Sequence, residues 1–194
     1  MRKLWTVLLI TVTGCALGGQ VSLASAAEFR DTTSPDSLSL VGTSPEQILI
    51  IGSNVTYECT TLNGAGVATT FPNTTLSFAP SYSGCKAKVA GVLVAKITVT
   101  NNGCQFTYST AGTVTVSCEV GKSIVIEAST CTLKIGTQKA ALFSVTYGTV
   151  AAGVQAVGNV SGIEQTNNCS ASGEVTYKGT GVAKSATGGT VSFS

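Results

Sequence analysis

The sequence of 194 residues contains no histidine, and only 10% of its residues are charged and 6% aromatic. Without histidine, the chain has no imidazole base for a Ser-His-Asp or Cys-His site and no imidazole metal ligand. Clustered lysine and arginine, which a nucleic-acid-binding surface requires, are missing as well. A typical soluble domain is about a quarter charged. Serine, threonine, asparagine and backbone groups must therefore supply most of the polar surface.

The first 27 residues have the pattern of a signal peptide. Arg2 and Lys3 form a short basic region, residues 4–12 supply an apolar run, and residues 24–26 (Ala-Ser-Ala) form a small-x-small cleavage site. Removal of residues 1–27 leaves nine basic and nine acidic residues, so the exported chain is formally neutral. No later stretch approaches the roughly 18 apolar residues that span a bilayer, and we expect no transmembrane span.

A second interpretation of this segment centres on Cys15. Residues 12–15 (Val-Thr-Gly-Cys) match the processing motif of bacterial lipoproteins, in which the cysteine is acylated and becomes the new N-terminus. The sequence therefore predicts an exported protein that is secreted, with a lipid anchor at Cys15 as the alternative.

Six cysteines remain when Cys15 is set aside. An even number of cysteines in an exported chain predicts disulfides, whereas zinc sites use closely spaced ligand pairs, which this chain lacks. We expect three disulfides, no metal site and no cofactor. Many connectivities are possible, and we favour sequential pairing. The favoured pairs are Cys59 with Cys85, Cys104 with Cys118, and Cys131 with Cys169.

Most of the cysteines lie on apolar faces of predicted strands. Alternate residues of a strand point to opposite sides of the sheet, and the cysteines share a side with aliphatic and aromatic residues. This alternation predicts buried cross-links. The predicted faces are Val55-Tyr57-Cys59, Cys104-Phe106-Tyr108, Val114-Val116-Cys118-Val120 and Cys131-Leu133-Ile135.

The remaining pattern is one of short strands and turns. Residues 28–43 are predicted to be a flexible lead-in, and residues 44–46 (Ser-Pro-Glu) resemble the first turn of a helix. Residues 92–135 predict a five-stranded meander. No linker marks a second domain, so residues 44–194 predict one all-β domain, a single disulfide-bonded β-sandwich of many short antiparallel strands. Further strands are predicted at 54–60, 66–71, 75–79, 141–147, 154–163, 173–178, 180–184 and 189–194.

Catalysis by a pair of carboxylates is one alternative function. A glycosidase needs two carboxylates at a fixed separation, and four glutamates lie on or next to predicted strands. Their neighbours place most of them on polar faces, where a solvated charge is the simpler explanation. We therefore predict a protein that is not an enzyme. The four residues are Glu58, Glu119, Glu127 and Glu174.

Two binding functions remain as further alternatives. A carbohydrate-binding module would stack sugars on exposed rings, for which Tyr82, Tyr147 and Tyr177 are the candidates, with Phe71 and Phe78 beside them. The only tryptophan lies in the signal segment, which counts against a dedicated sugar platform.

A disulfide-scaffold protease inhibitor would need an exposed contact loop. Residues 79–88 are the candidate for that loop, because they contain glycine, serine and a predicted disulfide cysteine.

Several motifs also resemble a known group of proteins. They are residues 82–85 (Tyr-Ser-Gly-Cys), residues 97–108 (Ile-Thr-Val-Thr-Asn-Asn-Gly-Cys-Gln-Phe-Thr-Tyr), and residues 118–131, with Gly-Lys-Ser-Ile between two cysteines. Together they resemble uncharacterised secreted six-cysteine all-β proteins of soil actinobacteria. The resemblance implies an exported, disulfide-bonded β-fold and brings no assigned activity.

These observations together predict a secreted or cell-envelope protein with a non-catalytic structural or binding role. The expected partner is an envelope component, a glycan or an extracellular protein, and not a nucleic acid.

Overall fold

The computed structural model describes residues 26–33, 36–68, 70–129, 131–138, 141–169 and 173–194. Within these ranges, the regular structure consists of antiparallel β-strands without a helix. Cys15 and residues 1–25 of the predicted signal segment lie outside the described residues.

In the described part of the chain, sixteen strands form three sheets. The strands are β1 (Phe29–Asp31), β2 (Asp36–Ile51), β3 (Val55–Ala68), β4 (Thr75–Val89), β5 (Val92–Lys96), β6 (Thr98–Thr100), β7 (Gln105–Ser109), β8 (Thr113–Ser117), β9 (Ile124–Ala128), β10 (Cys131–Ile135), β11 (Leu142–Phe143), β12 (Val145–Val150), β13 (Gly153–Val160), β14 (Thr166–Asn167), β15 (Val175–Ser185) and β16 (Val191–Phe193).

The largest sheet has the strand order β11-β8-β7-β4-β3-β2-β15-β13-β12, and β5 also pairs with β4. A four-stranded sheet has the order β14-β10-β9-β6, and β1 pairs with β16. The sequence prediction of an all-β fold with many antiparallel strands is confirmed.

Residues 142–150 bring the two edges of the largest sheet together. Leu142 and Phe143 pair with β8, whereas the strand that starts at Val145 pairs with β13. Ser144, between the two pairings, has a φ of 78°, and the backbone amide of Val145 donates a hydrogen bond of 3.0 Å to the Gly112 carbonyl. The sheet therefore curls until its edges meet, and one of its faces is turned inward.

Two apolar clusters fill the interior. The first includes Leu49 and Val175 of the largest sheet together with Ile126 and Leu133 of the four-stranded sheet. The second surrounds Phe29 and Phe78, with contributions from the long strands β2, β3, β4 and β15. The four-stranded sheet therefore covers part of the inward face, which gives a sandwich-like arrangement of two layers.

The structure corrects four sequence predictions about these elements. Residues 92–135, predicted as a five-stranded meander, hold six strands divided between two sheets, because β6 pairs with β9 whereas β7 pairs with β8. Residues 28–43, predicted as a lead-in, contribute β1 and half of β2, and Phe29 is fully buried. Residues 44–46, predicted as a helical turn, lie within β2. Val120 was assigned to the inward face of Cys118, but β8 ends at Ser117 and Val120 is fully exposed. Pairing with other strands decides these cases except that of Val120, which lies beyond the end of β8.

The three disulfides pair sequentially, as the sequence prediction favoured. Cys59 and Cys85 face each other directly across β3 and β4, with 4.0 Å between their Cα atoms. Cys104 and Cys118 close the open end of the β7–β8 hairpin, also with 4.0 Å between Cα atoms. The third disulfide joins Cys131 on β10 to Cys169 beyond β14. The burial prediction is confirmed for Cys59 and Cys104, whereas Cys118, Cys131 and Cys169 are only half-buried.

Candidate functional site

An internal cavity of about 100 Å³ lies between the inward face of the largest sheet and the four-stranded sheet. Its walls are mainly aliphatic side chains and glycines, and none of the lining residues is charged. The lining residues with a polar side-chain group are four tyrosines and one glutamine, besides one disulfide-bonded cysteine. The cavity is thus an apolar space with a small polar cluster, which is the usual make-up of a small-molecule site.

The polar cluster is built by five consecutive strands of the largest sheet. In the spatial order β7, β4, β3, β2 and β15, each strand contributes one tyrosine or glutamine side chain to the cavity lining. Because alternate residues point to the same side of a strand, these five residues occupy inward positions in their strands. In the same order they are Tyr108, Tyr82, Tyr57, Gln47 and Tyr177.

Gln47 links this cluster to the backbone. Its side chain is 4% exposed, and its Nε2 donates a hydrogen bond of 3.0 Å to the carbonyl of Thr180. Its Oε1 accepts a hydrogen bond from the hydroxyl of Tyr177. Both ends of the Gln47 amide are therefore paired, as a buried polar group requires.

Gly179 provides the space for this contact. A Cβ atom at Gly179 would collide with Oε1 of Gln47 and would lie 2.5 Å from the hydroxyl oxygen of Tyr177. Gly158, opposite Gly179 on β13, has no such neighbour, because a Cβ there would lie 3.9 Å from the nearest atom. The Gln47–Tyr177 hydrogen bond thus depends on the absence of a side chain at Gly179.

The tyrosines of the cluster are neutral at physiological pH. Burial raises the pKa values of Tyr82, Tyr108 and Tyr177 well above the ordinary value of 10, and the proximity of Tyr108 raises the pKa values of the other two further. Burial also raises the pKa of Tyr57. These phenols can donate or accept hydrogen bonds, but a phenol that stays protonated is a weak base and a weak nucleophile.

The hydroxyl of Tyr108 is left open. Tyr82, Tyr108 and Tyr177 line the cavity and are half-buried by accessible surface. Within the described part of the chain, the Tyr108 hydroxyl has no hydrogen-bond partner. It is therefore available to a molecule in the cavity.

Tyr57 connects the cavity to the third disulfide. Its hydroxyl lies 3.7 Å from Sγ of Cys131 and 4.0 Å from Sγ of Cys169, and its ring is buried. The disulfide thus helps to fix the end of the cavity at which the Tyr57 hydroxyl lies.

The aromatic residues predicted as an exposed sugar-binding surface lie in the interior. Tyr82 and Tyr177 line the cavity. Tyr147 packs edge-on against Phe29, with ring centroids 5.2 Å apart, and Phe78 is 2% exposed. These residues therefore do not form one exposed ring surface, because their rings pack against the two apolar clusters.

The candidate glutamates do not line the cavity. Glu58 forms ion pairs with Lys86 and Lys88, at 3.5 and 2.6 Å. Oε1 of Glu174 accepts a hydrogen bond of 3.1 Å from the Gly162 amide. The other two candidates, Glu119 and Glu127, are exposed.

Residues 79–88, predicted as an exposed inhibitory loop, lie within strand β4. Pro80, Cys85 and Ala87 are buried in this segment. The segment therefore does not form the exposed contact loop that a protease inhibitor would need.

Sequence reasoning missed Gln47, although the sequence carries a signal for it. Alternation along β2 places Gln47 on the same side as Leu49 and Ile51, both buried. A single amide on an otherwise aliphatic face indicates a buried polar contact.

Comparison with known proteins found no matching family model, no matching curated protein and no matching solved structure. Across the described residues, no helix is long and apolar enough to cross a membrane.

Proposed function

We propose that this chain is an exported, non-catalytic binding protein of the cell envelope or its surroundings, which holds a small apolar molecule in the tyrosine-lined cavity. The observation that carries the proposal is a cavity without a charged lining residue, with the open phenol hydroxyl of Tyr108 among its lining residues. Three disulfides support a location in an oxidising compartment.

The cavity limits the size and chemistry of the ligand. A cavity of about 150 Å³ with apolar walls accommodates benzene, so a cavity of about 100 Å³ suits a ring of similar or smaller size. A charged ligand would lose its hydration without an opposite charge in the wall. A neutral molecule with one acceptor oxygen, such as a small ketone, would use the Tyr108 hydroxyl as its donor.

A matched pair of ligands tests this proposal. We expect cyclopentanone to raise the thermal midpoint Tm of the exported protein more than cyclopentane does, because only the ketone accepts a hydrogen bond. Tyr108→Phe should remove the difference while keeping the response to the hydrocarbon. Ala156→Leu, which places a larger side chain on the cavity wall, should weaken both responses.

Val120→Leu is the control for these variants, because Val120 is fully exposed and lies away from the cavity. The proposal is overturned if neither ligand changes Tm or the tyrosine fluorescence at millimolar concentration. It is also overturned if Ala156→Leu folds and binds both ligands like the control.

The intact mass of protein recovered from its host tests the proposed export. A mature chain that begins near Ala27 corresponds to secretion, whereas a lipid-bearing chain that begins at Cys15 corresponds to an anchored form. A chain that retains Met1 and free thiols would contradict export altogether.

A further inference from the structure

The hairpin formed by β4 and β5 ends in six consecutive residues without a polar side chain. We call residues 89–94 (Val-Ala-Gly-Val-Leu-Val) the apolar tip, and all six are exposed. Val92, Leu93 and Val94 are 67%, 60% and 56% exposed. Because neighbouring residues of a strand point to opposite sides, exposure of all three means that neither side of the tip is covered.

The turn itself does not require this apolar composition. Ala90 and Gly91 have φ values of 48° and 82°, the left-handed combination in which asparagine is favoured before glycine. The same chain uses Asn102-Gly103 at another such turn, with φ values of 50° and 78°. Alanine in this region is strained by about 1 kcal/mol or more. A polar residue would form the turn at least as well, so the turn geometry does not explain Ala90.

A cluster of lysines lies on β4 and β5 next to the apolar tip. Glu58, Lys86 and Lys96 are register partners across β3, β4 and β5, and Lys88 lies on the same side of β4. These three lysines and one glutamate carry a net charge of +2. At about 3.4 Å per residue, Lys86 and Lys96 lie roughly 10 Å behind the last cross-strand pair, Val89 and Val92.

The arrangement matches the layers of a lipid surface. An apolar segment that enters the acyl region places its basic neighbours at the level of the headgroups, where anionic lipids attract each lysine by about 1 kcal/mol. A second copy of the chain is disfavoured as the partner that covers the apolar tip, because contact between two tips would bring two clusters of positive charge together. We propose that the apolar tip inserts into the surface of a membrane that contains anionic lipid.

A tryptophan placed in the tip tests this proposal directly. The only tryptophan of the chain is Trp5, so Leu93→Trp provides a reporter in the exported protein. Its emission should shift to the blue with vesicles of phosphatidylcholine and phosphatidylglycerol, and much less with phosphatidylcholine alone. Val120→Trp is the matched control, because Val120 is also fully exposed, and its emission should not shift.

A second measurement uses the loss of apolar side chains. Val92→Ser combined with Leu93→Ser should weaken sedimentation with the anionic vesicles by at least about tenfold, since each exposed aliphatic side chain buried in lipid contributes more than 1 kcal/mol. Val120→Ser should sediment like the unchanged protein.

Three outcomes overturn the proposal. They are an unshifted emission of Leu93→Trp with anionic vesicles, equal sedimentation of the double serine variant, and a dimer in solution that disappears in that variant. The last outcome would identify a second copy as the occupant of the tip. All three readouts are independent of the cavity, so failure here leaves the proposed ligand site untouched.

Discussion

The hydroxyl of Tyr177 donates a hydrogen bond to Oε1 of Gln47, and this contact joins β15 to β2 where their pairing is irregular. The register between the two strands shifts between Lys178 and Thr180. Nε2 of Gln47 donates to the Thr180 carbonyl at 3.0 Å, beside this shift. The regular hydrogen bonds between β15 and β2 leave the Tyr177 hydroxyl and the Thr180 carbonyl without a partner. The buried amide of Gln47 therefore provides the partner for both groups.

Gln47→Leu should destabilise the protein by about 2–3 kcal/mol. The substitution leaves the Tyr177 hydroxyl and the Thr180 carbonyl without Gln47 as their partner, and each unsatisfied buried group costs about 1–3 kcal/mol. Unfolding in guanidinium chloride with the disulfides oxidised measures the change in free energy.

Tyr177→Phe provides the matched partner for this measurement. Removal of both polar groups costs less than the sum of the single removals, because an apolar pair leaves fewer orphaned groups. The double variant should therefore recover part of the loss. Strictly additive effects of the two substitutions would show that the hydrogen bond does not couple them.

Gly179→Ala should destabilise the protein by about 1–3 kcal/mol, the usual cost of forcing an extra methyl group into a packed site. The new Cβ would displace the Gln47 amide or the Tyr177 ring. Gly158→Ala is the control at the directly opposite position on β13, where a Cβ meets nothing nearer than 3.9 Å. Equal thermal midpoints for the two variants would contradict the packing argument.

Local patterns were sufficient to predict much of the fold. The Thr110-Ala111-Gly112 turn indicates a symmetric hairpin, and the structure places Gln105 opposite Ser117, with Cys104 and Cys118 just beyond. Period-two alternation correctly placed Tyr57 and Tyr108 on inward faces. These features depend on residues close in sequence, where turn geometry and side-chain alternation decide the outcome.

The cavity could not be predicted in the same way. It depends on how far the largest sheet curls, which is set by the two pairings of residues 142–150 with strands distant in sequence. Phe29 was assigned to a flexible segment because nothing beside it in the sequence shows that β16 and Tyr147 will cover it. Pairing between strands that are distant in sequence, more than local strand propensity, determines the structure of these regions.

Alkaline pH should destabilise the protein through its tyrosines. Burial raises the folded-state pKa values of Tyr82, Tyr108, Tyr147 and Tyr177 above the unfolded value of about 10. The folded state therefore holds these protons more tightly, so the stabilisation is complete below pH 10 and is lost as the pH rises above it. Each tyrosine should contribute a loss of about 1.4 kcal/mol per pH unit.

Absorbance at 295 nm, recorded beside circular dichroism in a rapid pH jump, checks this expectation. Phenolate should appear together with unfolding, because these hydroxyls ionise only when they reach water. A phenolate signal from most of the tyrosines near pH 10 in protein that remains folded would contradict the burial of the cluster.

Removal of the third disulfide should loosen one end of the cavity as well as destabilise the fold. Cys131→Ala with Cys169→Ala opens a loop with a sequence separation of 38, which should cost about 3–4 kcal/mol. It also removes both sulfur atoms beside the Tyr57 hydroxyl. Hydrogen exchange should therefore become faster in β10 and β14, which this disulfide helps to hold together.

Cys104→Ala with Cys118→Ala is the control, because it should cost a similar free energy while exchange in β10 and β14 stays slow. Equal protection of these strands in the two variants would contradict this role of the third disulfide.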